Sequence, residues 1–110
     1  MEKHALNKLN ERYGEERPCV KLVGTFKDLE RLYFLMELLP MKGEVWLACR
    51  SFGMLNNVKA RDTFREICRC VKKVHDVNII HRDLKPENMF YDGDHVKLID
   101  FGSAEDLENP

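Results

Sequence analysis

Residues His81 to Asn88 read HRDLKPEN, and they follow directly on the apolar VNII. Asp83 and Asn88 stand five residues apart with Lys85 between them, and Asp100 comes twelve residues after Asn88, behind HVKLI. Brought together by the intervening segment, two carboxylates and an amide oxygen would surround one cavity. Such hard oxygens suit Mg²⁺, which takes a few carboxylate oxygens and completes its shell from substrate phosphates and water. Lys85 adds a cation able to meet a transferring phosphoryl group, where catalysis is mostly positioning and charge stabilisation. Asp83 could orient or deprotonate an attacking hydroxyl. An isolated D-x-x-x-x-N is better explained by turn chemistry, since Asp, Asn and Pro are common in turns.

These side chains need elements to hold them. EKHALNKLNERYG, from Glu2, carries Ala5, Leu6 and Leu9 at near-helical spacing and closes on Gly14, which predicts a short helix. CVKLVGTF, from Cys19, alternates as a strand does; KDLER reads as a polar turn. LYFLMELL, from Leu32, is apolar except for Glu37 and predicts a strand buried on both faces. The two runs together predict an antiparallel hairpin. Pro40 and Gly43 mark a connector, and EVWLACRSF predicts a helix of about two turns. A longer helix is predicted from Val58 to Val77, its buried stripe formed by Phe64, Ile67, Cys68, Val71, Val74 and His75. Pro86 interrupts regular structure across the catalytic stretch. MFY, DGD and HVKLI then predict a second hairpin that turns at Asp92-Gly93.

The bulk properties fit one globular domain. The chain has 110 residues, 44% of them hydrophobic and 34% charged. Eighteen Lys and Arg against nineteen Asp and Glu leave a net charge of −1, so no global field steers the chain to nucleic acid. Cys19, Cys49, Cys68 and Cys70 are scattered, and Cys68-x-Cys70 is not the C-x-x-C of a redox or zinc pair. On a helix those two thiols would point about 200° apart. Reduced thiols filling the core are the expectation. No apolar run approaches the ~20 residues of a membrane span, and no N-x-S/T acceptor occurs. A soluble, intracellular and cytoplasmic protein is expected.

HRDLKPEN, MFYDGDHVKLI and DFG together resemble the protein-kinase signature set, H-R-D-L-x-x-x-N followed by D-F-G. The likeness runs from the regulatory helix of the small lobe to just past Gly102, nearly the whole chain. It implies an α+β fold, part of a protein-kinase-like domain. Residues 1–36 would be the end of the small lobe, 37–44 the hinge, and 45–110 the start of the helical large lobe with its catalytic loop. The resemblance makes Asp83 the catalytic base, Lys85 the contact to the transferred phosphate, and Asn88 and Asp100 the ligands of Mg²⁺. ATP would be the co-substrate and a protein Ser/Thr hydroxyl the acceptor, with Lys85 fitting the serine/threonine branch. LYFLMELLP resembles the strand that leads into the hinge. Met36 would be the gatekeeper, Glu37, Leu38 and Leu39 would line the adenine edge, and Leu39 and Phe90 would form apolar walls. Glu44 resembles the carboxylate that meets the ribose. Glu2 resembles the helix glutamate that pairs with a lysine of an earlier strand. Arg82 resembles the arginine that meets a phosphorylated activation loop, and His81 and Phe101 resemble packing elements. The nearest likeness is to the AGC group, phosphoinositide-dependent kinases among it.

G-x-G-x-x-G and V-A-I-K do not occur in these 110 residues, and eight residues follow Gly102, without an A-P-E. The expectation is therefore a kinase fragment, inactive or unstable by itself, with apolar faces of LYFLMELL and of the long helix left exposed. Two alternatives stand beside it. One is a non-catalytic interaction module built on a kinase core. The other is a small-molecule phosphotransferase of the aminoglycoside-kinase type, which shares H-x-D-x-x-x-x-N; Arg82 and Lys85 argue against it.

Overall fold

The structure, a computed structural model, describes residues 1–39, 57–91 and 95–109. Helix α1 spans Glu2–Tyr13 and buries Ala5, Leu6 and Leu9 on one face, as their spacing requires. Glu2 sits in its first turn, where a carboxylate complements the helix dipole. The helix stops at Gly14, whose φ of 57° is a conformation that a Cβ disfavours. A 3₁₀ turn, Gly14–Glu16, leads to a buried Arg17 whose guanidinium donates to the Gly14 carbonyl at 2.9 Å.

Strands β1 (Leu22–Lys27) and β2 (Leu32–Met36) form an antiparallel hairpin in register from Leu22↔Met36 to Lys27↔Leu32, with Val23 as an extra residue. Its turn lies within KDLER. The Asp28 carboxylate closes it, accepting the N–H groups of Glu30 at 2.8 Å and Arg31 at 2.6 Å. The double-sided burial expected of LYFLMELL is not found. The strand ends at Met36, and Leu32, Tyr33, Leu35 and Met36 are all exposed. Among the described residues β1 is the only strand paired with β2, and no other element packs extensively on β2.

Helix α2 covers Asn57–Asp76. It packs on β3 (Ile79–Ile80) and β5 (Val96–Leu98), with Ile67, Cys70 and Val74 in or against the core and Thr63 buried on the same side. That stripe is turned about one position from the predicted one: Phe64, Cys68 and His75 are exposed. Hydrophobicity marks both faces of this helix, and among the described residues the 63/67/70/74 face is the buried one. Asn78 ends it in the left-handed region, φ 61°, which Asn tolerates better than most residues.

β3 pairs antiparallel with β6 (Glu105–Asp106), and β4 (Met89–Tyr91) with β5. The Asp92-Gly93 turn, the Pro40–Gly43 connector and the helix expected at EVWLACRSF lie outside the described residues. The two halves are sewn together by main chain: Leu98 donates to Pro18 O at 2.9 Å and Val20 to Leu98 O at 3.0 Å. Around that seam lies the core of Leu6, Leu9, Cys19, Val74, Ile79, Leu98 and Phe101. Each of its larger aliphatic side chains contributes about 1.5–3 kcal/mol by leaving water. Cys19 and Cys70 are buried, and burial pushes both thiols up to about 12. Among the described residues no helix is long and apolar enough to cross a membrane.

Candidate active site

β3 delivers the chain into His81, which is 2% exposed. One ring nitrogen, Nε2, donates to Ile99 O at 2.9 Å, while Nδ1 accepts the Asp83 N–H at 3.1 Å. One nitrogen must donate and the other accept, so these partners require the neutral Nε2–H tautomer. The ring also meets Phe101 edge-on, centroids 4.7 Å apart. Imidazole thus fixes both the loop carrying Asp83 and the segment carrying Asp100.

The loop closes on itself. Asn88 is buried, and its Nδ2 donates to Asp83 O at 3.0 Å and to Asp83 Oδ2 at 3.3 Å. The 3₁₀ turn Pro86–Asn88 starts with proline, which needs no N–H there, and the Asn88 N–H reaches Lys85 O at 2.9 Å. Half-exposed Lys85 holds its ammonium 3.8 Å from Asp83 Oδ1. Arg82, at φ 69°, turns away to Ser103 O at 2.6 Å and Glu105 at 3.3 Å.

The segment carrying Asp100 is tied to that loop through the backbone, because Ile99 N–H bonds to Asn88 O at 3.0 Å. Asp100 has φ 56°, and its Oδ1 accepts the Gly102 N–H at 3.2 Å. A Cβ on Gly102 would stand only 3.1 Å from that oxygen, so glycine keeps the carboxylate in place. Phe101 is fully buried, and its N–H donates to Glu2 Oε2 at 2.7 Å. Glu2 thus caps the residue after Asp100.

A cavity of about 410 Å³ opens beside these groups. Met36, Glu37, Leu38 and Leu39 form one wall, and Phe90, Ile99, Asp100, Val20 and Glu2 complete it. Leu39 and Phe90 supply apolar surface. Glu37 differs: its carboxylate accepts from Lys21 N at 2.8 Å and Lys97 Nζ at 3.0 Å, with Arg17 at 3.8 Å. Burial would raise its pKa, but the Lys21 N–H and the two cations outweigh it and hold the carboxyl below its usual range. Its N–H is also taken, by Lys21 O. Glu37 therefore braces the wall through Oε1, and its N–H is not free for the cavity. Glu44 lies outside the described residues. Val20 and Ile99 were missed as lining residues, because in sequence they read only as strand core.

Oxygen donors from Asn88 and Asp100 fit Mg²⁺ in kind. Among the described residues no group of three His, Cys, Asp or Glu forms a metal cage. That is compatible with an ion that binds through one or two protein ligands plus substrate phosphates. Chemically, the arrangement offers a carboxylate beside a cation on a braced loop, and a second carboxylate on the rim of a mostly apolar cleft.

Comparison with known proteins gives the same direction. The family described as "Protein kinase domain" matches residues 1–110. The chain is 43% identical over 90 residues to a "cGMP-dependent protein kinase" of Eimeria tenella, a match covering 81% of this chain and 9% of that protein. It is 38% identical over 109 residues to "Serine/threonine-protein kinase PKH2" of Candida albicans, covering 98% of this chain and 11% of the relative. "Serine/threonine-protein kinase PKH1" of Saccharomyces cerevisiae is 43% identical over 108 residues, covering 97% of this chain and 13% of the relative. The chain thus spans about a tenth of the length of the relatives it matches. With its signature residues on a braced loop and on the segment bonded to it, and its full length matched, this chain belongs to the protein kinase family.

Proposed function

We propose that this stretch is the hinge and catalytic-loop portion of an AGC-like serine/threonine protein kinase, which moves the γ-phosphate of ATP to a protein hydroxyl. Asp83 orients that hydroxyl and takes its proton. Lys85 offsets charge on the phosphoryl group in transit. Asn88 and Asp100 hold Mg²⁺, which when bound neutralises charge on the phosphate oxygens. Leu39 and Phe90 sandwich the base, Glu37 braces the hinge at its edge, and Glu44 meets the ribose. Residues 1–36 belong to the small lobe, 37–44 to the hinge and 45–110 to the large lobe. The partners are a Ser/Thr-bearing protein and ATP, and the setting is the cytoplasm. Relatives named as serine/threonine and cGMP-dependent protein kinases favour this over a small-molecule phosphotransferase.

The observation that carries the reading is the cavity lined by residues 36–39 and Asp100, whose neighbour Ile99 is hydrogen-bonded to Asn88 of the Asp83–Asn88 loop. Calorimetry of ATP binding with and without Mg²⁺ tests it. Binding that needs Mg²⁺ and disappears in Asp100→Asn is expected. A folded chain, judged by circular dichroism, that binds no nucleotide would favour an interaction module instead. The exposed apolar residues Phe26, Leu29, Leu38 and Phe64 support that second reading.

A further inference from the structure

Asp106 lies away from the catalytic loop and is 1% exposed, yet it is ionised and crowded with donors. Two come from α1: His4 Nε2 stands 2.7 Å from Oδ2, and Lys8 Nζ stands 3.0 Å from each carboxylate oxygen. A third is the N–H of Glu108, 3.0 Å from Oδ1. Glu108 in turn accepts from Lys8 at 3.1 Å and from the Asn78 amide. The carboxylate is anchored from below, since β6 pairs with β3 at Ile79↔Asp106 and Leu107 N–H meets Asn78 O at 2.8 Å.

His4 and Lys8 are one helical turn apart, so they share a face of α1 and grip Asp106 together. Glu2, half a turn before His4, makes its bond to the Phe101 N–H from the same helix. Between those two anchors the chain turns back through Ala104 N–H to Phe101 O at 3.1 Å. Residues 101–106 are therefore fastened to α1 at both ends. A carboxylate this buried is costly without its partners, so α1 cannot swing away while Asp106 stays where β3 holds it.

We infer that Asp106 is a positioning residue: it locks α1 to the segment after Gly102 and so keeps the Glu2 carboxylate on the Phe101 amide, beside Asp100. The inference deepens the nucleotide-site reading and rests on it for the importance of Asp100. Its test needs no nucleotide. Hydrogen exchange of the Phe101 amide is followed by mass spectrometry in the full chain, in Asp106→Asn, in Glu2→Ala and in the double variant. Loss of the clamp should speed that exchange roughly tenfold, the scale of one lost hydrogen bond to a charged group. In the Glu2→Ala background, Asp106→Asn should add nothing, and α2 amides should keep their protection throughout. An unchanged Phe101 rate in Asp106→Asn overturns the inference, as does an equal acceleration with and without Glu2. If Asp106→Asn exposes α2 amides as well, Lys8→Gln replaces it in the same four-way comparison, because Lys8 is reached from the surface and His4 remains on the carboxylate. The same two outcomes then decide. Failure of ATP binding with this coupling intact would count against the nucleotide site alone.

Discussion

Asn88 donates to the Asp83 main-chain oxygen and His81 accepts the Asp83 N–H, so the loop is held at this residue by contacts that do not depend on the charge of its carboxylate. Asp83→Asn should for this reason keep the loop and remove only the carboxylate proposed as the base. Phosphoryl transfer by the kinase that contains this stretch should fall roughly 100- to 10,000-fold in kcat, the span for a lost general base. KM for ATP and the melting temperature should stay near wild type. A matching rise in KM would show that Asp83 binds nucleotide instead. Asp106 makes a second residue-level case, on stability. The bond from His4 comes first in drawing its pKa to about 2, with Lys8 and the Glu108 N–H adding to it against the burial that would raise it. The folded value lies below the ~3.9 of an unfolded aspartate. The stabilisation is thus complete above that value and disappears as pH falls through the folded one. Melting temperatures of wild type and Asp106→Asn should differ at about pH 6 and converge towards pH 2; a constant gap would refute the linkage. The signature motif made Asp83, Lys85, Asn88 and Asp100 legible in sequence. Asp106 was not, because in SAEDLENP it looks like one acid among several on a solvated tail, and only the fold brings His4 and Lys8 to it.

At the scale of elements, what periodicity can tell was limited by which faces find partners. α1 was readable because Ala5, Leu6 and Leu9 are its few apolar residues and all face inward. The hairpin turn was readable because a short charged segment separates two apolar runs. α2 was readable in extent and not in rotation: Phe64 and Cys68 extend the apolar stripe sideways, while Thr63, which is polar, is buried. β3 and β6 had no signal, being two-residue strands whose pairing is long-range. A pair of substitutions tests the rotation. Leu6→Ala, in the core, should cost about 2–5 kcal/mol in denaturant unfolding. Phe64→Ala, at 66% exposure, should cost no more than about 0.5 kcal/mol. Equal losses would mean that α2 buries the stripe its hydrophobicity suggests.

The whole molecule extends 47 × 28 × 23 Å, with the covered core at the seam of Pro18, Val20 and Leu98 and an uncovered hairpin beside it. Phe26 is 60% exposed and Leu29 fully so, and neither belongs to the core. Burial lost there contributes nothing to stability, but exposed apolar side chains in one region attract other apolar surfaces. The net charge of −1 supplies almost no repulsion to oppose contact between copies. Two effects that usually travel together should therefore separate in the double variant Phe26→Ser, Leu29→Ser. Its unfolding free energy should match wild type to within about 0.5 kcal/mol, as for surface substitutions. Its sedimentation should stay monomeric at concentrations where the wild-type chain associates, and its binding of an apolar dye should drop. A double variant that associates like wild type would place the sticky surface elsewhere, with exposed Phe64 on α2 the next residue to replace. One that loses stability would mean that the hairpin tip is packed, and that the uncovered layer lies nearer to Leu38.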